Sequence, residues 1–109
     1  MVDENAIQEM QFLEHTLQNM LMQKQAFQME LSETESAIEE LDSAGEEVFK
    51  ILGQLMIKSD KKKVKEELAN KEKLLSTRIK AIENQEKKIS ERISGLQEKV
   101  LGNSGKKKK

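Results

Sequence analysis

Apolar residues recur along the first forty or so positions at alternating spacings of three and four. The series Met10, Leu13, Leu17, Met20, Lys24, Phe27, Leu31, Thr34, Ile38 and Leu41 is apolar at all but Lys24 and Thr34. A second series, Leu68, Glu72, Leu75, Ile79, Ile82, Glu86, Ile89, Ile93, Leu96 and Val100, breaks only at Glu72 and Glu86. This spacing places one apolar stripe on each of two helices, at the seam positions of a coiled coil. The first helix is expected over 4–43, starting after Asp3 and stopping at "DSAG", where Gly45 can take the left-handed conformation of a C-cap. The second is expected over 60–100, with Ser59 or Asp60 as N-cap and "GNSG" as its break.

Between the helices the pattern changes. "VFKILGQLMIK", Val48 to Lys58, carries seven large apolar side chains in eleven residues, divided by a glycine. "LGQL" fits a two-residue type II′ turn with Gly53 at the first central position, so a β-hairpin over 47–58 is expected. That register opposes Leu52 to Leu55, Ile51 to Met56 and Phe49 to Lys58. One face then holds Phe49, Ile51 and Met56, and the other Val48, Leu52, Leu55 and Ile57. An isolated hairpin that is apolar on both faces, with both edges open, is marginal in water and prone to aggregate. Two helices leaving it cannot cover both faces. Other chains are expected to complete a sheet or barrel there, so these seven residues form a candidate assembly site.

Composition fits a chain without a large globular core. Of 109 residues 36% are hydrophobic and 36% charged, with three phenylalanines, no tyrosine, no tryptophan and no proline. The absence of cysteine excludes a disulfide framework and thiolate metal sites. No apolar run is long enough to span a membrane, and the acidic start does not resemble a secretion signal, so a soluble intracellular protein is expected.

The net charge of −1 hides an asymmetry. Residues 1–44 hold ten acidic side chains and one lysine, whereas residues 45–109 hold ten acidic and eighteen basic ones. Two such segments attract each other when folded back to back, so the basic half does not by itself call for nucleic acid. A nucleic-acid-binding arm would also need aromatic stacking residues that are missing here.

Catalytic and ligand-binding chemistry finds little material. His15 falls on the solvated helix face with no cysteine or second histidine to form a metal site, and "SETESAIEELD" lacks the glycine and spacing of a calcium loop. "GNSGKKKK" has no Walker spacing, and no nucleophile and base are paired. Neither an enzyme nor a cofactor is expected. The polar seam residues Lys24, Thr34, Glu72 and Glu86 are read as setting register. The Lys-rich tail, 102–109, is read as a disordered solubilising segment.

The order of a helix, "EEVFKILGQLMIKSD", and a helix containing "KAIENQEKKI" resembles a beta-type subunit of prefoldin over residues 1–101. The single hairpin favours the beta type, because alpha-type subunits carry a longer linker with two. The resemblance implies a cytoplasmic hexamer of two alpha-type and four beta-type subunits, with hairpins closed into β-barrels and antiparallel coiled coils hanging from them. It further implies an ATP-independent holdase that captures unfolded polypeptides and passes them to a group II chaperonin, without nucleic acid or membrane. A structural or adaptor coiled coil is the alternative, but it leaves the two-faced hairpin unexplained.

An antiparallel pairing would bring together residues whose numbers add to about 103, so residues 1–22 and 86–101 meet at the free ends. There Ile7, Phe12, Leu21 and Met22 lie off the seam, while Met10, Leu13, Ile93, Leu96 and Val100 belong to it. Exposed, adaptable apolar side chains suit clients of no fixed shape, and these nine residues form the candidate client-binding tip.

Overall fold

The structure, a computed structural model, describes residues 3–101. Its elements are α1 (Glu4–Ser43), β1 (Glu47–Leu52), β2 (Leu55–Asp60) and α2 (Lys61–Val100). The Lys-rich tail and the "GNSG" break expected at 102–105 lie outside the described residues.

α1 contains neither glycine nor proline and few β-branched residues, so nothing interrupts its forty residues. Asp3 caps it: its Oδ1 accepts the Ala6 N–H at 3.1 Å, and this hydrogen bond chiefly holds the Asp3 carboxyl below the usual range. At the other end Gly45 does not adopt the left-handed conformation expected of it, since Gly53 is the glycine with positive φ among the described residues. The Lys61 ammonium satisfies the terminal carbonyls instead, donating to the Ala44 oxygen at 2.9 Å and the Asp42 oxygen at 3.5 Å. α1 has no basic residue in its own last turn, so this cation also offsets the negative end of the helix dipole.

The chain divides into two compact units, one made of residues up to Gln25 with those from Lys80 onward, the other of Ala26–Ile79. In the first, α1 and α2 run antiparallel, as the ion pairs Asp3–Lys99, Glu9–Arg92 and Lys24–Glu86 require. Ala6, Met20, Ile82, Ile93 and Leu96 form its buried core. Ala6 extends the α1 stripe one step before Met10.

The second unit has the same antiparallel packing, with Leu41, Leu75 and Ile79 buried and Asp42–Lys65 and Glu30–Lys71 paired across the helices. Thr34, also buried, returns its hydroxyl to the Glu30 carbonyl at 2.8 Å, which removes the cost of a polar group in the seam. The Arg78 guanidinium lies 5.7 Å from the centre of the Phe27 ring. All twenty seam positions of the two series are buried or half-buried.

The hairpin belongs to this second unit. Its register opposes Leu52 to Leu55, Ile51 to Met56, Lys50 to Ile57 and Phe49 to Lys58. Gly53 has φ +61°, the sign that the first central position of a primed turn needs. β2 continues two residues beyond the expected limit, pairing Ser59 with Val48 and Asp60 with Glu47. Asp60 still caps α2, its Oδ1 accepting the Lys62 N–H at 3.3 Å, so strand and helix meet without a loop.

Candidate functional site

The two hairpin faces differ in their surroundings. Phe49, Ile51 and Met56 share one face, and 57%, 68% and 67% of their surfaces remain exposed. At its base Glu47 and Lys58 pair at 2.8 Å, both exposed. The opposite face carries Val48, Lys50, Leu52, Leu55, Ile57 and Ser59. Here Val48, Lys50 and Ser59 are half-buried, and a shallow cleft lined by Lys50, Leu52 and Ile57 opens toward Val64 and Glu67 of α2. Lys50 crosses it to Glu67 at 2.8 Å, and this bond holds the Glu67 carboxyl below its usual range. Both faces are apolar, as expected, but they are not equally uncovered. One is partly occupied by its own helix, while Leu52 and Leu55 near the turn stay exposed.

The candidate tip lies wholly in the first unit. Phe12 and Met22 project outward, each about two-thirds exposed, and Leu21 is 44% exposed. Ile7 is half-buried. The five remaining candidates sit in the seam: Ile93 and Leu96 are buried, and Met10, Leu13 and Val100 half-buried. Leu17, Gln18 and Leu21 line an open groove with Glu86 and Ser90 of α2. His15 is exposed, as its heptad position implies.

Lys24 and Glu86 meet in this seam at 2.7 Å, with less than a fifth of either side chain exposed. Glu86 holds the lysine in its charged form and raises its pKa. The polarity of this pair is reversed. Elsewhere in the unit α1 supplies the acid and α2 the base, as in Glu9–Arg92 at 2.9 Å, where each partner favours the charged form of the other. Charge alone would not have paired Lys24 with Glu86, because α2 offers several acids; the seam geometry selects it.

Two features carried no usable sequence signal. The Lys50–Glu67 tether joins ordinary surface residue types, and the Lys61 cap acts through the chain reversal and not through a local motif. Among the described residues no group of three metal-ligating side chains converges, and no helix is long and apolar enough to cross a membrane.

Comparison with known proteins agrees with this arrangement. The family model described as "Prefoldin subunit" matches residues 4–104. The prefoldin subunit beta of Thermococcus onnurineus is 38% identical over 77% of this chain and 74% of its own length. That of Methanothrix thermoacetophila is 32% identical over 94% of this chain and 87% of its own. The crystal structure of the prefoldin beta subunit from Thermococcus strain KS-1 superposes with a TM-score of 0.82, at 32% identity, over 89% of this chain and 87% of that one. A helix, one hairpin and a helix with these seams, matched over nearly the whole sequence, place the chain in the prefoldin subunit family.

Proposed function

We propose that this chain acts as a beta-type subunit of a cytoplasmic hexamer with two alpha-type and four beta-type members, binding unfolded polypeptides without nucleotide and handing them to a group II chaperonin. The family is one of chaperones and not of enzymes. One observation carries the assembly step: Phe49, Ile51, Leu52, Leu55 and Met56 are more than half exposed on a two-stranded sheet with both edges open. A sheet of this kind is unstable alone and is completed by strands from other subunits, which close a barrel and remove the edges. Val48 and Ile57 extend the same apolar surface. The second step is assigned to the tip, where Phe12, Leu21 and Met22 offer flexible or aromatic surface to a client. For Met10, Leu13, Ile93, Leu96 and Val100, client contact requires the helix ends to part.

Replacing Ile51 or Leu55 with lysine tests the assembly. The isolated chain should keep its helix content, since neither side chain is buried within it, whereas the hexamer should dissociate because an unpaired charge in a small barrel costs several kcal/mol. Native mass spectrometry of the variant with its alpha-type partner reads the result. A hexamer as resistant to dilution as the parent removes the barrel from the proposal.

A further inference from the structure

The outward face of α1 between Phe12 and Gln25 has an unusual chemistry for this chain. Its outermost heptad positions are Phe12, His15, Gln18, Asn19, Met22 and Gln25, all exposed. None carries a permanent charge. The only permanent charges between residues 12 and 25 are Glu14, which lies to one side, and Lys24, which is drawn into the seam by Glu86. The corresponding outward positions of α2 in the same unit include Lys87, Lys88, Glu91 and Glu98. Solubility would favour charge on both helices, so a strip without it is the part of this surface best suited to an uncharged partner.

Its chemistry defines the occupant. Lacking charge, the strip gives no electrostatic attraction to nucleic acid or to a strongly charged protein surface, and an apolar segment can approach without desolvating an ion. Phe12 and Met22 supply apolar contact. Gln18, Asn19 and Gln25 supply something different: each primary amide both donates and accepts hydrogen bonds. An unfolded chain differs from a folded one in presenting backbone N–H and C=O groups that lack protein partners. Side chains with both functions can bond to either group whatever the client sequence.

We infer that the charge-free strip of α1 recognises the main chain of unfolded, uncharged polypeptide segments through the amides of Gln18, Asn19 and Gln25, interleaved with apolar contacts to Phe12 and Met22. This rests on the holdase reading and deepens it. Client choice then follows exposed backbone as well as exposed hydrophobic side chains.

The test uses the assembled complex and two fluorescent peptides of leucine, alanine and glutamine, identical except that one is N-methylated at alternate residues and so has lost half its backbone donors. The parent should bind the unmodified peptide about tenfold more tightly. A variant with Gln18→Ala, Asn19→Ala and Gln25→Ala keeps strong helix formers at exposed positions and should assemble normally, yet bind both peptides alike. Phe12→Ser with Met22→Ser should weaken both peptides by the same factor and keep the discrimination. Equal binding of the two peptides by the parent, or full discrimination by the triple alanine variant, overturns the inference while leaving the holdase reading intact. A parent complex that binds neither peptide and fails to protect a denatured protein overturns both.

Discussion

The seam and the hairpin of the second unit are made from the same kinds of residue, yet one is finished and the other is not. Leu75, Ile79 and Leu41 are less than a tenth exposed, covered by side chains of the facing helix. Phe49, Ile51 and Met56, within the same unit, remain more than half exposed. The difference is geometric. A helix has one apolar stripe, which a single partner helix covers, whereas a strand pair has two faces and two edges, and α2 reaches part of one face only. A chain this short therefore completes its helical core alone and leaves most of its sheet uncovered.

Breaking the finished side should have the largest effect. Leu75 is 2% exposed, and truncation to alanine removes a buried side chain from a narrow core, which should cost about 2 to 4 kcal/mol. Thermal melting by circular dichroism at fixed concentration would measure this. A loss below about 0.5 kcal/mol would mean that the seam contributes less than its burial implies. Ile51→Lys is the opposite case, with little change in the isolated chain and loss of the assembly.

Next in size is the effect on clients. Polar replacement of Ile7, Phe12, Leu21 and Met22 together should leave the hexamer intact while impairing suppression of aggregation, because each fully covered apolar side chain contributes about 1.5 to 3 kcal/mol. Single replacements should do less, since in the proposed hexamer several binding arms would share the load. Light scattering from a denatured test protein, with parent and variant complexes at equal concentration, separates the outcomes. Equal protection would move client contact away from these four positions.

A smaller change is expected from the reversed ion pair. Lys24→Glu sets two acids against each other in the seam and should lower the melting temperature by several degrees. Adding Glu86→Lys should restore at least half of the loss. No recovery in the double variant would show that the pair is not coupled through its charges.

The smallest effect concerns pH. The carboxyls of Asp3, Glu9, Asp42 and Glu67 are held below their usual range, chiefly by the Ala6 N–H, Arg92, Lys65 and Lys50 respectively. Depressed carboxyls contribute stability that is present above their unfolded values and lost as pH falls through the folded ones. The Lys24 pKa is raised, so its contribution is complete below the ordinary lysine value and disappears only as pH climbs beyond it. The melting temperature should be level between about pH 6 and 9 and fall modestly below about pH 4.5. An unchanged value from pH 7 to pH 3 would mean that these pairs add nothing.

Much of the architecture was legible because it depends on repeats. The seams could be read from their spacing, and the hairpin register from "LGQL", since a two-residue turn at Gly53 fixes every pair after it. The end of β2 was less legible. Ser59 and Asp60 have little preference for strands, but Val48 and Glu47 stand opposite them and the ladder continues. The Gly45 cap failed because a residue distant in sequence acts there: Lys61 donates to the Asp42 and Ala44 carbonyls, and Gly45 does not turn left-handed. In the candidate tip, heptad position separated exposed Phe12 and Met22 from buried Ile93 and Leu96.

By itself the sequence determined that two amphipathic helices would pair through apolar seams, that a glycine turn would separate them, and that the apolar hairpin would exceed what one chain can cover. These are consequences of period, turn chemistry and residue count, all of which act locally or additively. The tertiary structure decided which charges meet, that Lys24 selects Glu86, that Lys61 caps α1, and that Lys50 draws one hairpin face toward Glu67. Such choices depend on which side chains the chain reversal brings within a few ångströms, and lysines and glutamates so abundant in sequence become distinct only when their positions in space are fixed.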